Sequence, residues 1–334
     1  MLYLIVLKMK TQLLSKHQKA LLLNVEEFPK EIMQLVHRKK WLLIWVSKEF
    51  NGLDASFSKG LKLLYHLAKT DGSLGWFVTL CSGANYFSKN LKPNIAKEIF
   101  STKHVCLGGS GMVTGTAKAI DKNNFILNGT WKYATGAPHL THFTLNANVD
   151  NEIVSFVVPK DKVTIIPDWQ SMGMRATNTF SFQLKDVVVS KKYSFRYNKF
   201  YIQDNSSGIP FTVFADLTLL VNYIGMAHHF AECVSDKQMQ EFCESILKQT
   251  MTIAKEIENT ITNKKALSTE RMLQIHSFGE DAVTDLCNYF IGAYTKAGVE
   301  ASKTSSPINQ IFRDFFTATQ HANFRKKETL NTFA

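Results

Sequence analysis

The spacing of apolar residues changes twice along this chain, and this change constrains the fold more than any other feature. From about residue 11 to 100, apolar side chains recur every three to four positions, as on one face of a helix. From Lys103 to Ser190, β-branched and aromatic residues alternate with polar ones, which is the period of a strand. The helical period returns after Pro210. The pattern predicts an α+β protein with helices, then strands, then helices.

This order predicts three packed units: an N-terminal helical domain over residues 1–102, a central antiparallel β-barrel or sandwich over 103–195, and a C-terminal helical bundle over 196–334. Turn-forming segments are expected to interrupt the strands at Asp121–Asn124, Asn128–Gly129 and Asp150–Asn151. The four predicted bundle helices are Phe211–Val234, Met239–Thr262, Leu267–Ala301 and Pro307–Lys326. In the N-terminal unit, we expect Asp54 and Asp71 each to cap a helix.

Composition narrows the class of protein and its partners. The 334 residues are 45% hydrophobic and 20% charged, which is typical of a globular chain. The net charge of +11 comes from scattered lysines without a nucleic-acid-binding motif. We therefore expect a basic surface that attracts an anionic cofactor or substrate, and no nucleic-acid partner.

Cysteine usage and apolar runs predict the compartment. The five cysteines form no Cys-x-x-Cys pair, which favours reduced thiols and a cytoplasmic location. The run Leu2–Leu7 is too short for a signal-peptide core or a membrane span, and we expect no membrane association. His139 and His142 lack further ligands at metal-binding spacing, so no metal site is expected.

Three segments carry a resemblance to a known family. They are the helix break Ala68–Trp76, the strand segment Asn128–Gly136 and the stretch Trp169–Ser190, which contains Gly-Met-Arg-Ala-Thr. In this order they resemble the acyl-CoA dehydrogenase superfamily. The segment Phe312–His321 (Phe-Arg-Asp-Phe-Phe-Thr-Ala-Thr-Gln-His) resembles a helix of its two-component flavin-dependent monooxygenase branch.

This resemblance implies a flavoprotein that uses reduced FAD or FMN and O2 to oxygenate a small aromatic or heterocyclic substrate. It also implies a separate flavin reductase. The chain itself is expected to form a homo-oligomer, specifically a homotetramer. Two alternatives stay open: an FAD-dependent acyl-CoA dehydrogenase, and an inactive subunit that acts as a binding or scaffold protein. The chain departs from the family because it lacks the Thr-Glu-Pro motif, carries Asn178 where Gly is common, and has a short C-terminal block.

The resemblance also implies which residues form the site. Thr135 lies where the family places a hydroxyl beside the flavin N5, and His321 lies where the monooxygenase branch carries an active-site histidine. Both are predicted to be catalytic and to line one pocket, because general acid–base groups must reach the reacting atoms. The predicted cofactor-binding residues are Gly109, Ser110, Trp131, Thr135 and Arg175.

Overall fold

The computed structural model describes residues 13–197 and 199–324. The apolar run Leu2–Leu7 and the last residues of the predicted helix Pro307–Lys326 lie outside these ranges. Within the described ranges, five α-helices precede the strands: α1 Lys16–Ala20, α2 Lys30–Arg38, α3 Phe57–Thr70, α4 Gly72–Asn85 and α5 Pro93–Phe100. Four follow them: α6 Phe211–Cys233, α7 Lys237–Thr262, α8 Thr269–Tyr294 and α9 Pro307–Ala318.

Among the described residues, seven strands form one sheet, and they lie between the two helical regions in the sequence. They are β1 Leu107–Ala119, β2 Asn124–Ala134, β3 His142–Val149, β4 Glu152–Pro159, β5 Thr164–Ile166, β6 Phe180–Ser190 and β7 Ser194–Phe195. Their order is β5-β6-β2-β1-β3-β4-β7. The prediction of an antiparallel β-unit is wrong at one pair, because β1 runs parallel to β3, from Leu107 opposite His142. The sheet is therefore mixed.

The predicted turns divide into two true turns and one bend inside a strand. Asp121–Asn123 connects β1 to β2, and Asp150–Asn151 connects β3 to β4 with positive φ at both residues. Asn128–Gly129 instead lies within β2, where the pairing with β6 shifts register. A Cβ on Gly115, the β1 partner of Gly129, would lie 2.1 Å from the Trp131 ring, so glycine makes room for that indole.

Helix starts in the N-terminal region depend on local capping. The Asp71 side chain accepts a hydrogen bond from the Leu74 N–H at 2.8 Å and begins α4, as predicted. The prediction for Asp54 is wrong, because α3 begins after Ser56. Asp54 has a left-handed φ of 48° and accepts a hydrogen bond from the Asn205 N–H instead.

Helix α6 is the central element of the C-terminal region. It packs against α3, α7 and α8. Its length and composition would suffice to cross a membrane, but 83% of its most apolar window is buried inside the protein, as in the core helix of a globular domain. The last two predicted helices are too long: α8 ends at Tyr294 and α9 at Ala318, so His321 lies beyond the final described helix.

Candidate active site

A cavity of about 230 Å³ lies where α4, α6, β1, β3 and the segment after β7 meet. One part of its wall is aromatic and aliphatic, formed by Phe87, Phe195, Tyr197, Phe211, Phe214 and Leu219. Another part of the wall is the glycine-rich start of β1, Gly108–Gly111. Thr135 and His321 line the same cavity. The chain therefore brings its two predicted catalytic residues to one apolar site from the sheet and from the C-terminal end.

Thr135 is held at the end of β2 by the turn that follows it. Gly136 adopts a φ of +74°, and a Cβ at this position would lie 2.3 Å from the Phe77 ring. The Cys81 thiol is 3.7 Å from the Thr135 carbonyl oxygen, which fixes that carbonyl toward α4. Only 5% of Thr135 is exposed, so its hydroxyl must find its partners within the protein and the cavity.

The Thr135 hydroxyl is the first of three threonine hydroxyls in a row. Its oxygen lies 3.2 Å from Thr179 Oγ1, and Thr179 Oγ1 lies 2.8 Å from Thr177 Oγ1. Thr177 Oγ1 donates to the carbonyl oxygen of Met174 at 2.7 Å. Thr177 and Thr179 are buried, so this row ends inside the protein and not in solvent.

The turn that carries these threonines has a strained backbone. Met174 and Asn178 adopt left-handed φ values of 55° and 42°. Asparagine tolerates this region better than most residues, which suits Asn178 to this position in the turn. The turn is held from outside by α9: Asp314 Oδ1 accepts a hydrogen bond from the Met174 N–H at 2.5 Å, and Arg313 Nη1 donates to the Met172 carbonyl oxygen at 2.7 Å.

Asp314 belongs to a buried pair of carboxyl groups. Its second oxygen accepts a hydrogen bond from the Ser73 hydroxyl at 3.3 Å, beside Asp71 at the start of α4. Burial, with the neighbouring Asp314, raises the pKa of Asp71 to about 7. Burial also raises the pKa of Asp314 to about 6. Arg313 and Asp314 thus join α9 to the turn and to α4, which is a structural role.

His321 is oriented by the chain that follows it. Its Nδ1 accepts a hydrogen bond from the Asn323 N–H at 3.3 Å, so the neutral ring carries its proton on Nε2. The ring packs edge-on against Trp76, with centroids 5.6 Å apart. His321 is exposed at the cavity wall, but its surroundings still remove water and lower its pKa. The imidazole is therefore a neutral hydrogen-bond donor and acceptor near pH 7.

Known proteins resemble this chain weakly in sequence and closely in fold. No protein-family model matches it. It is 24% identical over 156 residues to an indole-3-acetate monooxygenase of Acinetobacter baumannii, covering 45% of this chain and 40% of that protein. It is 20% identical over 225 residues to HsaA, the oxygenase subunit of a flavin-dependent monooxygenase of Mycobacterium tuberculosis, covering 61% and 56%. The chain spans about half the length of these curated relatives.

Solved structures cover nearly the whole chain. The HsaA monooxygenase from M. tuberculosis matches 92% of this chain and 87% of its own with a TM-score of 0.83 at 17% identity. This chain therefore shares its fold with that monooxygenase. XiaF from Streptomyces, solved with FADH2 and glycerol, gives a TM-score of 0.80 at 18% identity over 90% of this chain and 86% of its own. TdsC from Paenibacillus, solved with FMN and indole, gives a TM-score of 0.77 at 19% identity. That match covers 93% of this chain and 92% of the TdsC chain.

The glycine-rich edge of the cavity fits the planar ring of a flavin. The β1–β3 pairing passes from Ser110 to Val113 and skips Gly111 and Met112, and the β1–β2 pairing covers only Gly115–Ala119. A Cβ on Gly111 would meet no atom within 4 Å, so this edge borders open space. A planar ring can approach the backbone closely there. Gly109 and Ser110, which are predicted to bind the cofactor, line the cavity at this edge, and their contacts with a flavin stay a prediction.

Two predicted cofactor residues are not brought to the cavity. Trp131 is fully buried in the sheet, where its Nε1–H donates to the Asn146 carbonyl oxygen at 2.8 Å and its ring stacks on Phe182. Arg175 forms an ion pair with Glu26 at the surface. Neither residue lines the cavity, so Trp131 has no geometric support there as part of a flavin wall, and the predicted cofactor binding by Arg175 stays a prediction.

Three residues that sequence reasoning missed complete the site: Thr177, Thr179 and Asn323. The Thr-Asn-Thr pattern before β6 was the available signal, since it places two hydroxyls on either side of an asparagine, a residue that tolerates a left-handed turn. Asn323 lines the cavity, and its side chain donates to Asp216 Oδ1 at 2.8 Å. Among residues 13–197 and 199–324, no group of three His, Cys, Asp or Glu side chains could hold a metal ion.

Proposed function

We propose that this chain is the oxygenase component of a two-component flavin-dependent monooxygenase of the acyl-CoA dehydrogenase superfamily. It would bind reduced FAD or FMN in the cavity and oxygenate a small aromatic or heterocyclic molecule. The single observation that carries this proposal is one apolar cavity that combines a buried hydroxyl, a neutral imidazole and a glycine-edged strand. The names of the relatives and structural neighbours support it independently.

When bound, the reduced flavin supplies two electrons to O2; one oxygen atom enters the substrate and the other leaves as water. The residues of this chain prepare the environment for that reaction. Gly109 and Ser110 offer backbone to the ring edge, and Thr135 offers a fixed hydroxyl. The aromatic wall excludes water and packs against an apolar substrate. Neutral His321 can donate its Nε2 proton to an oxygen atom in the cavity and regain it afterwards.

The dimensions of the cavity limit what it holds. Its volume of about 230 Å³ is below the ~300–1,000 Å³ of most ligand pockets. It has room for planar rings and not for a whole dinucleotide, so the tail of the cofactor would extend outside. FAD and FMN share the ring, and both are compatible with the site.

The dehydrogenase alternative finds less support in the site. Removing a proton from an acyl thioester needs a carboxylate base beside the cofactor. None of the described residues that line the cavity is Asp or Glu. The inactive-subunit alternative predicts that no flavin binds, and the experiment below separates it.

The partners follow from the proposed reaction. A flavin reductase would supply the reduced cofactor, and the small aromatic substrate would enter the same cavity. We propose a cytoplasmic homotetramer that uses neither nucleic acid nor a metal ion. Large apolar side chains on the outer face of α8 support self-association, since Leu273 is 62% and Ile291 50% exposed.

The test is a flavin-oxidation experiment with the purified protein. FMN or FAD is reduced anaerobically, mixed with the protein and then with air-saturated buffer, with and without indole as a probe substrate. The proposal expects tight binding of reduced flavin and transfer of ¹⁸O from ¹⁸O2 to an aromatic probe. Binding of flavin with oxidation of an acyl-CoA would favour the dehydrogenase. Absence of binding by either flavin would favour the inactive subunit.

A further inference from the structure

The row of threonine hydroxyls has a fixed direction. It ends at the Met174 carbonyl oxygen, which can only accept, so the 2.7 Å contact requires the proton of Thr177. With that proton used, the 2.8 Å contact between Thr177 and Thr179 requires the proton of Thr179. The 3.2 Å contact between Thr179 and Thr135 then requires the proton of Thr135. Each hydroxyl has one proton to give, so no other arrangement makes all three bonds.

This direction leaves Thr135 as an acceptor toward the cavity. Its single proton points to Thr179, and its free lone pair can receive a hydrogen bond only from a donor. The three threonines are buried, so water cannot easily reorient their hydroxyls. A ligand atom that can only accept would therefore find no hydrogen bond from Thr135. The Met174 carbonyl oxygen is itself immobile, because it also accepts from Trp169 Nε1 at 2.9 Å and from the Thr177 N–H at 3.1 Å.

We infer that Thr177 and Thr179 are positioning residues that make the site select the reduced form of its flavin. The inference rests on the proposed function. The central ring of a reduced flavin carries an N–H at N5, which is a donor, whereas the oxidised ring has a bare acceptor nitrogen there. A hydroxyl that can only accept a hydrogen bond complements the N5–H of the reduced ring and repels the bare N5 of the oxidised ring. Selection of this kind lets the chain take reduced flavin from a donor protein and release the oxidised form.

The inference predicts how each substitution changes the ratio of dissociation constants for oxidised and reduced FMN. Thr179→Val leaves the Thr135 hydroxyl free to rotate and donate, so the ratio should fall by roughly tenfold. Thr177→Val should act alike, because Thr179 can then donate to Thr135. A tenfold fall corresponds to a change of about 30 mV in the two-electron potential of bound FMN. Thr179→Ser keeps the row and should keep the ratio.

The experiment is anaerobic titration of each purified variant with oxidised and with reduced FMN, which requires no turnover. Thr250→Val is the matched control, since Thr250 is a fully buried threonine in α7 whose hydroxyl donates to Ile246 O at 2.8 Å. An unchanged ratio in folded Thr179→Val and Thr177→Val would overturn the inference and leave the proposed function intact. The wild type is also titrated with FAD, and its failure to bind FMN or FAD in either redox state would overturn both.

Discussion

The buried carboxyl pair makes the stability of this protein depend on pH in a direction opposite to most acidic groups. Asp71 and Asp314 lie at the junction of α4, α9 and the turn that carries Met174, and both are buried. The pKa of Asp71 is raised from 3.8 to about 7, first by burial and then by Asp314. The folded state thus binds a proton more tightly than the unfolded state.

The sign of the effect follows from linkage. Because the folded pKa lies above the unfolded value, the stabilisation is complete below about pH 4 and is lost as pH rises through about 7. A shift of about three pKa units, at ~1.4 kcal/mol per unit, sets an upper limit of about 4 kcal/mol for Asp71. Only about two pH units separate pH 5 from the folded pKa of about 7, so at most about 3 kcal/mol of this is lost between pH 5 and pH 8. We expect the free energy of unfolding of Asp71→Asn to rise by ~1–3 kcal/mol relative to that of the wild type over this range.

The assay is urea unfolding of wild type and Asp71→Asn at intervals from pH 5 to pH 8. Asparagine caps a helix as well as aspartate, so the cap on Leu74 survives. Asp71→Asn also loses the contact with Gln310 Nε2, which lowers its free energy of unfolding by the same amount at every pH. Only the slope of the free energy of unfolding against pH is therefore informative. Asp236→Asn is the control, since it also caps a helix, α7, through the Met239 N–H. Equal slopes for wild type and Asp71→Asn would refute the reasoning.

Four further predictions concern the site, the sheet and the assembly. His321→Ala should slow oxygen transfer by ~10²–10⁴-fold in rapid-mixing experiments while changing the dissociation constant of FMN much less, because the imidazole acts on protons. Thr135→Ala should divert consumed O2 from product to released H2O2, measured by peroxide assay. Gly115→Ala should lower the free energy of unfolding by ~1–3 kcal/mol in urea titrations, since the new methyl would collide with Trp131, 2.1 Å away. Light scattering should give the mass of a tetramer, and a monomer at micromolar concentration would contradict the assembly.

The sequence predicted the order of helices and strands because that order is encoded locally. Apolar spacing distinguishes period 3.6 from period 2 within a window of about a dozen residues. Pairing between strands is not local. In the sequence β2 lies between β1 and β3, and the composition of these two strands does not indicate that they pair in parallel. The long predicted helices Leu267–Ala301 and Pro307–Lys326 failed at their ends for a similar reason. Apolar residues continue beyond Tyr294 and Ala318, where the chain already packs as turns.

The site was predictable where a residue type and a motif coincided. Thr135 and His321 were identified from their motifs, and the structure brings them to one cavity, although their roles stay predictions. Trp131 was misjudged because a large aromatic in a matching strand suits both a cofactor wall and a sheet core. Only the contact with Gly115 and the hydrogen bond to Asn146 distinguish the two. The direction of a hydrogen-bond row could not be read from sequence, since it depends on which atom ends the row.

Helix α9 connects the two walls of the candidate site. Its Asp314 holds the Met174 N–H, and the carbonyl oxygen of the same Met174 anchors the hydroxyl row that ends at Thr135. The chain leaving α9 places His321 on the cavity, with Asn323 orienting the ring. The Thr135 hydroxyl and the His321 imidazole, which line the same cavity, are thus both positioned from α9. Within Phe312–His321, Arg313 and Asp314 fix the helix against the turn, and His321 lines the cavity just beyond the end of the helix.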